Sequence, residues 1–290
     1  MNIAVFADVH GRILLCFLLC ARWQQETGER IDAIFQAGDL GAYPNEAGMD
    51  RATIRHGRLD ATEFGFAADF AGYHEDVARA LQRPACPLIF VRGNHEDHAW
   101  LDTLEHRADE ALFPIDAYRR IFCLKTGVPY TVRNGTESLM VLGIGRIGAP
   151  IGETEGAKAK YLQEYEMRRL YALDTLALDV LLTHDVPPDS GEHSYGMEEI
   201  RLMLDAHRPR YHFYGHTEGP FQQRLDRNGV TASCRMADLS WQHGSQGHLP
   251  PGVMGILRWH SRDANTFEVV DAPWLDDYRV WNWRIHLYSV

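Results

Sequence analysis

The stretch Asn2-Ile-Ala-Val-Phe-Ala7, followed directly by Asp8-Val9-His10-Gly11, decides the reading of this chain. After Asn2 the run is apolar without alternation. A short run of that kind, closed by a turn residue, predicts a strand buried on both faces. It stops on a carboxylate, an imidazole and a glycine. The glycine suits a sharp turn directly after a strand, where positive φ or close backbone approach is needed.

The same arrangement recurs along the chain. Apolar runs at Ala33–Gln36, Leu88–Val91, Leu139–Leu142, Val180–Thr183 and Tyr211–Tyr214 predict further buried strands. Four of these lead into Gly38-Asp39, Gly93-Asn94-His95-Glu96, Thr183-His184-Asp185 and Gly215-His216-Thr217-Glu218. Helical stretches are predicted at Ile13–Cys20, Phe66–Gln82, Ala157–Leu173 and Glu198–Ala206. Strands alternating with helices imply an α/β arrangement around a largely buried sheet. Val253–Trp259 and Thr266–Val270 read as strands of a second sheet. No repeat or Ser/Pro-rich linker divides residues 1–290, so a single domain is expected. The Gly- and Asn-containing segment 41–71 reads as an insertion over one end of the sheet, 148–160 as a candidate lid, and 271–290, rich in Trp and Tyr, as a C-terminal tail on the surface.

Composition bounds the function. The chain has 290 residues, 45% of them apolar and 24% charged, which is ordinary globular usage and enough for a sizeable core. Lys plus Arg is 29 against 40 Asp plus Glu, a formal charge of −11, which excludes sequence-independent coating of long nucleic acid by a net basic surface. The 15 histidines hint at metal or acid–base chemistry. Five cysteines without a CxxC pair point to a reducing compartment, and a cytoplasmic location is expected. Cys16 and Cys20, four residues apart on one helix face, read as core. The longest apolar run, Ile13–Cys20, is too short for a membrane span of ~20 residues, so no membrane partner is expected. The sequence carries no signal for a particular oligomeric state.

Taken singly, each polar strand end has an ordinary structural reading: a turn with a surface pair, or a hydrogen-bonded histidine. The ordered set does not, because ligands of open α/β sheets bind outside the carboxyl ends of strands. These ends deliver Asp8, His10, Asp39, Asn94, His95, His184, His216 and Glu218 to one rim. Imidazole mixed with carboxylate suits divalent Mn, Fe, Zn or Ni.

The order DxH, GD, GNH[DE], H, GHxH resembles the calcineurin-like metallophosphoesterase superfamily from Met1 to about Gly219, with its closing segment echoed in Pro251-Gly252-Val253-Met254-Gly255. That resemblance implies a four-layer αββα sandwich: two mixed sheets flanked by helices. It implies a dinuclear site for two divalent ions, Mn favoured, and hydrolysis of a phosphate ester by a hydroxide shared between them. Asp8 and His10 would bind the first metal and Asp39 would bridge both. Asn94, His184 and His216 would complete the second. His95 would act on the leaving group as the catalytic residue, with Glu96 orienting it.

The last block departs from the pattern, with Glu218 where the family has a second histidine. Glu218 is expected to ligate through its carboxylate, which makes the cluster one unit less positive. Such a cluster polarises phosphate less and favours a monoanionic diester over a dianionic monoester. A phosphodiesterase is therefore favoured, with a nucleotide or nucleic-acid end as a candidate substrate. The alternatives are a phosphomonoesterase acting on protein or nucleotide, and a metal-poor binding scaffold of this fold, as in the retromer subunit. Gly38-Asp-Leu-Gly-Ala-Tyr-Pro44 lacks the DRG element of protein Ser/Thr phosphatases, which lowers that reading. Arg119–Arg120, Arg168–Arg169 and Arg208 with Arg210 are candidate phosphate-binding groups. Tyr43, Tyr73 and His74 are candidate base-stacking groups, with packing the favoured role for them.

Overall fold

A computed structural model describes residues 1–191, 196–241 and 247–288. The strands are β1 (Asn2–Phe6), β2 (Ala33–Gln36), β3 (Leu88–Phe90), β4 (Leu112–Pro114), β5 (Ile121–Leu124), β6 (Tyr130–Asn134), β7 (Glu137–Ile144), β8 (Val180–Thr183), β9 (Tyr211–Tyr214), β10 (Gln222–Leu225), β11 (Ala232–Arg235), β12 (Gly255–Trp259) and β13 (Asn265–Val269). They form two mixed sheets, ordered β13-β12-β1-β2-β3-β5-β4 and β10-β11-β9-β8-β7-β6. Each sheet has a parallel centre and antiparallel edges: β1, β2, β3 and β5 run together, as do β7, β8, β9 and β11.

The helices are α1 (Ile13–Thr27), α2 (Arg51–Gly57), α3 (Glu75–Ala80), α4 (His98–Arg107), α5 (Glu164–Tyr171) and α6 (Glu198–His207). Three apolar clusters show how the layers stack. Ala4 and Phe6 of β1 face α1, with Leu101 of α4 and Val77 of α3 in the same cluster. Ile3 and Val5 face the other way and pack between the sheets with Val180, Leu182 and Phe213. Leu181 on the far face of the second sheet packs with Leu170 of α5 and Ile200 and Leu204 of α6. This is the expected αββα sandwich, but β12 and β13, expected in a second sheet, instead extend the first because β12 pairs with β1. The unbroken apolar run of β1 is explained by burial on both sides. No described helix is long and apolar enough to cross a membrane.

The helix expected over Phe66–Gln82 is in fact a π-helical turn at Phe66–Phe70, a break, and then α3. Gly72 lies in the break, and the Tyr118 hydroxyl accepts from the His74 N–H at 2.7 Å, which holds the chain extended there. The helix expected over Ala157–Leu173 shortens to α5. Tyr161 bridges to Ile147 in a strand-like pairing, and a capping box between Gln163 and Glu166 starts the helix. The C-terminal tail is more than a surface cover: Tyr278 and Trp283 are buried in the cluster over α1. Residues 289 and 290 of that tail lie outside the described residues. All five cysteines are free and buried.

Candidate metal centre

Parallel strands present their carboxyl ends at one edge, so β1, β2, β3, β8 and β9 deliver their following residues to a common rim. The turns there are tight. Asp8, His10, Asp39 and His216 all have positive φ, at 47°, 42°, 53° and 68°. Non-glycine residues held in this region store strain that the surrounding structure must sustain, and such residues cluster at functional sites. Backbone bonds tie neighbouring turns together: Asp8 N–H to Gly38 O (3.1 Å), His10 N–H to Asp39 O (2.9 Å), and Gly215 N–H to His184 O (3.2 Å). The motif glycines make room for side chains of other motifs. A Cβ on Gly93 would lie 2.0 Å from Asp39 Oδ1, and one on Gly215 would lie 2.0 Å from Asp8 Oδ2.

The rim gathers most of the expected residues. Ligand atoms of Asp8, Asp39 and His184, all buried, lie within 4.8 Å of one another. His184 Nδ1 pairs with Ala37 O at 3.0 Å, which aims Nε2 at Asn94 Oδ1 (3.1 Å) and Asp39 Oδ1 (3.4 Å). His10 Nε2 is 3.8 Å from Asp39 Oδ2. The His216 ring is 4.9 Å from that of His184, and the His95 ring 5.6 Å from that of His10. Glu218 lies on the same loop as His216 but is exposed, outside the tight group.

The electrostatics follow from burying two carboxylates together. Burial raises the Asp8 carboxyl well above its ordinary value, against the pull of His184. Burial also pushes Asp39 upward, but His184, His95 and His10 around it win and hold it well below the usual range. His184 is pulled down by burial yet pushed up to about 10 by Asp39 and Asp8. His10 and His216 are each lowered to about 4, chiefly by burial. Among the described residues, no Lys or Arg pairs with Asp8 or Asp39; the ion-pair partners of Asp39 are imidazoles. Buried carboxylates without such a partner, mixed with imidazole and an amide oxygen, fit divalent first-row cations.

Three further carboxylates at the rim take roles that the sequence pattern does not announce. Asp50 Oδ2 sits 2.7 Å from His95 Nδ1, accepts from the Tyr43 hydroxyl at 2.5 Å, and caps α2. Burial lowers His95, but Asp50 and then Asp39 push it up to about 9. The capping signature of Asp50 is visible in sequence; its partner 45 residues on is not. Glu96 does not orient His95. Its buried carboxylate accepts from the backbone of Leu40 and Ala42 at 2.8 and 2.7 Å, locking the third motif onto the second. Burial and Asp39 push Glu96 up to about 7. Asp238 stands beside Ala7, and burial together with Glu218 pushes its carboxyl up to about 6.

Several arginines considered as phosphate-binding groups have other partners: Arg169 bonds Glu105 at 2.6 Å, Arg168 lies 3.8 Å from Glu164, Arg208 bonds Asn228 O at 2.9 Å, and Arg210 packs over Tyr211. Tyr43 is buried, in keeping with packing. Tyr73, though exposed, rests on Tyr118 with ring centroids 5.5 Å apart.

Comparison with known proteins agrees with this geometry. The sequence pattern of the calcineurin-like phosphoesterase family matches residues 1–220. The crystal structure of TT1561 from Thermus thermophilus superposes with a TM-score of 0.51 at 16% identity, covering 93% of this chain and 98% of that one, a likeness of fold. Purple acid phosphatase PPD1 from yellow lupin gives 0.42 at 12% identity, over 93% of this chain and 51% of that one. Zinc-complexed Vps29 from Entamoeba histolytica gives 0.33 at 10% identity, over 93% and 99%. No curated protein matches the chain.

Proposed function

This chain belongs to the calcineurin-like phosphoesterase family, and on that premise we propose that it hydrolyses a phosphate ester with two divalent cations held at the strand-end rim. The observation that carries the proposal is the buried Asp8–Asp39–His184 group, whose ligand atoms lie within 4.8 Å and whose carboxylates have no Lys or Arg partner among the described residues. Asp8 and His10 would hold the first ion, Asn94, His184 and His216 the second, and Asp39 would serve both. Mn is favoured, because carboxylate and amide oxygens mixed with imidazoles suit it. When bound, the ions supply positive charge for the phosphoryl oxygens and acidify a water for attack at neutral pH.

The chain's own residues do the rest. The strained turns and the Ala37–His184 bond keep the donors in place before substrate arrives, so little reorganisation is needed. His95 keeps Nδ1 on Asp50, which leaves Nε2 to donate a proton to the leaving oxygen. Carboxylates at the rim, Asp8, Asp39 and Asp238 among them, reduce the positive charge that two cations would bring. That balance favours a monoanionic diester, such as a nucleotide or nucleic-acid end, over a dianionic monoester. Five free, buried cysteines suit a reducing compartment, and we place the protein in the cytoplasm on that basis.

The test is one panel: chelator-stripped protein, reloaded with Mn, offered a generic diester and a generic monoester. The expected result is turnover that returns with Mn and is faster on the diester. Absence of turnover on both substrates after reloading overturns the proposal.

A further inference from the structure

We infer that Asp238, not Glu218, occupies the place at the first metal where the family pattern has the second histidine of GHxH. The inference rests on the two-metal reading above and assigns the ligand that the sequence pattern leaves open.

The argument begins with register. After β11 the chain runs on beside β1: Ala7 and Asp238 form a parallel bridge, and the Leu239 N–H bonds Asp8 O at 3.2 Å. Side chains along such a segment alternate between faces. Cys234 and Met236 pack between the two sheets, whereas Ala237 and Leu239 pack with α1. Asp238 therefore falls on the inter-sheet face, at its open end. That is the face of Ala7, whose Cβ lies 2.9 Å from where a Cβ on Gly215 would be, and the same point lies 2.0 Å from Asp8 Oδ2. The backbone thus places Asp238 alongside Asp8 and against the Gly215–Glu218 loop.

Its surroundings give the second observation. Asp238 is half-buried, and among the described residues its carboxylate has no hydrogen bond or ion pair. Around it are the charges of Glu218, Asp39 and Asp8, with His184 and Arg235 as the cationic groups. Arg235 is engaged elsewhere, on Pro220 O and the Thr217 hydroxyl. A carboxylate partly buried among carboxylates is unfavourable unless a proton or a cation joins it. Glu218, by contrast, is exposed on its loop and is hydrated without any ion. With Asp238 in place, the first position has Asp8, Asp39 and Asp238 oxygens and one His10 nitrogen. That is a harder set than the histidine version, and it weakens the preference for Zn over Mn at that position.

The experiment measures metal, not turnover. Full-length wild type, Asp238→Asn and Glu218→Gln are stripped with chelator, reloaded with Mn and desalted. Bound metal per chain is read by elemental analysis and by the spin-coupled Mn signal in electron paramagnetic resonance. Wild type and Glu218→Gln are expected to hold about two ions, and Asp238→Asn about one, with the coupled signal lost. Thermal unfolding in chelator checks that the asparagine variant is folded. Should it not fold, Asp238→His answers the same question: it is expected to keep both ions and shift the first position toward Zn, and an unchanged preference overturns the inference. Asp238→Asn retaining both ions, or Glu218→Gln losing one while Asp238→Asn does not, overturns it alone. A wild type that takes up no metal overturns the phosphoesterase reading together with it.

Discussion

Two groups of buried charges stand at strand ends in this molecule, and they are finished differently. Behind the rim, Arg92 follows β3 and Arg146 follows β7. Arg92 binds Asp102 and Glu105; Arg146 binds Glu166, Asp102, the Tyr165 hydroxyl and Ala159 O. Each guanidinium there meets carboxylates at hydrogen-bond distance. At the rim itself, among the described residues, Asp8 accepts from the His216 N–H, and Asp39 accepts from the His95 N–H and faces two imidazoles. The first group is complete in charge and serves as scaffold. The second has no guanidinium partner among the described residues; imidazoles and protons balance it as it stands, and a cation would do so under the proposed function. Strain divides the same way in part: among the described residues, four of the seven non-glycine residues with positive φ are rim residues, so the backbone is held out of its preferred conformation mostly at the rim.

Substitutions that exchange these properties break or sharpen the contrast. Asp39→Asn removes the residue shared by both candidate metal positions. It is expected to lower kcat/KM by about a thousandfold, roughly 4 kcal/mol in the barrier, and to reduce bound metal while leaving thermal unfolding in chelator unchanged or improved. Steady-state assays with elemental analysis check this; retained metal and rate would remove the distinction between the two groups.

Arg146→Met does the reverse. It leaves Glu166 without its guanidinium and Asp102 with Arg92 alone, and is expected to destabilise folding by about 3 kcal/mol, read by urea unfolding, with activity per folded molecule little changed. Asp50→Asn tests the hydrogen bond that joins α2 to His95. A drop of about thirtyfold in kcat, ~2 kcal/mol, with metal content intact, is expected. An equal loss of metal would make Asp50 a structural support of the rim instead.

The smallest effect is a pH dependence within the completed group. Burial raises Asp102, but Arg146 and Arg92 outweigh it and hold the carboxyl below its ordinary value. Its stabilisation is therefore fully present above the unfolded value of about 3.9 and is lost as pH falls through the folded value. Comparing wild type with Asp102→Asn, the stability difference is expected to be about 1 kcal/mol at pH 7 and to narrow at pH 3, as read by unfolding at the two values. A difference that widens on acidification contradicts the pairing.

Much of the rim is legible in the chain because it is written as local pattern. An apolar run that halts on Asp8 or Gly38-Asp39 announces both the strand and the residue at its end. Strand edges are less legible: β4, β5, β6, β10 and β11 carry no comparable signal, since runs as short as Leu112–Pro114 take their conformation from a neighbour such as β5. The helix expected over Phe66–Gln82 breaks because a distant hydroxyl, that of Tyr118, holds the chain at His74.

The sequence by itself determined the layered fold, the order of the rim residues and the family to which the chain belongs, because strand burial and strand-end turns depend on neighbours in the chain. Only the tertiary structure decided which carboxylate serves which purpose. Glu96 turned to the backbone of Leu40 and Ala42, Asp50 came to His95 from within the segment 41–71, and Asp238 was set beside Asp8 by a bridge spanning most of the chain. The reason is physical: a charge acts over a few ångströms of space, and distances of that size between remote residues exist only once the sheets have paired.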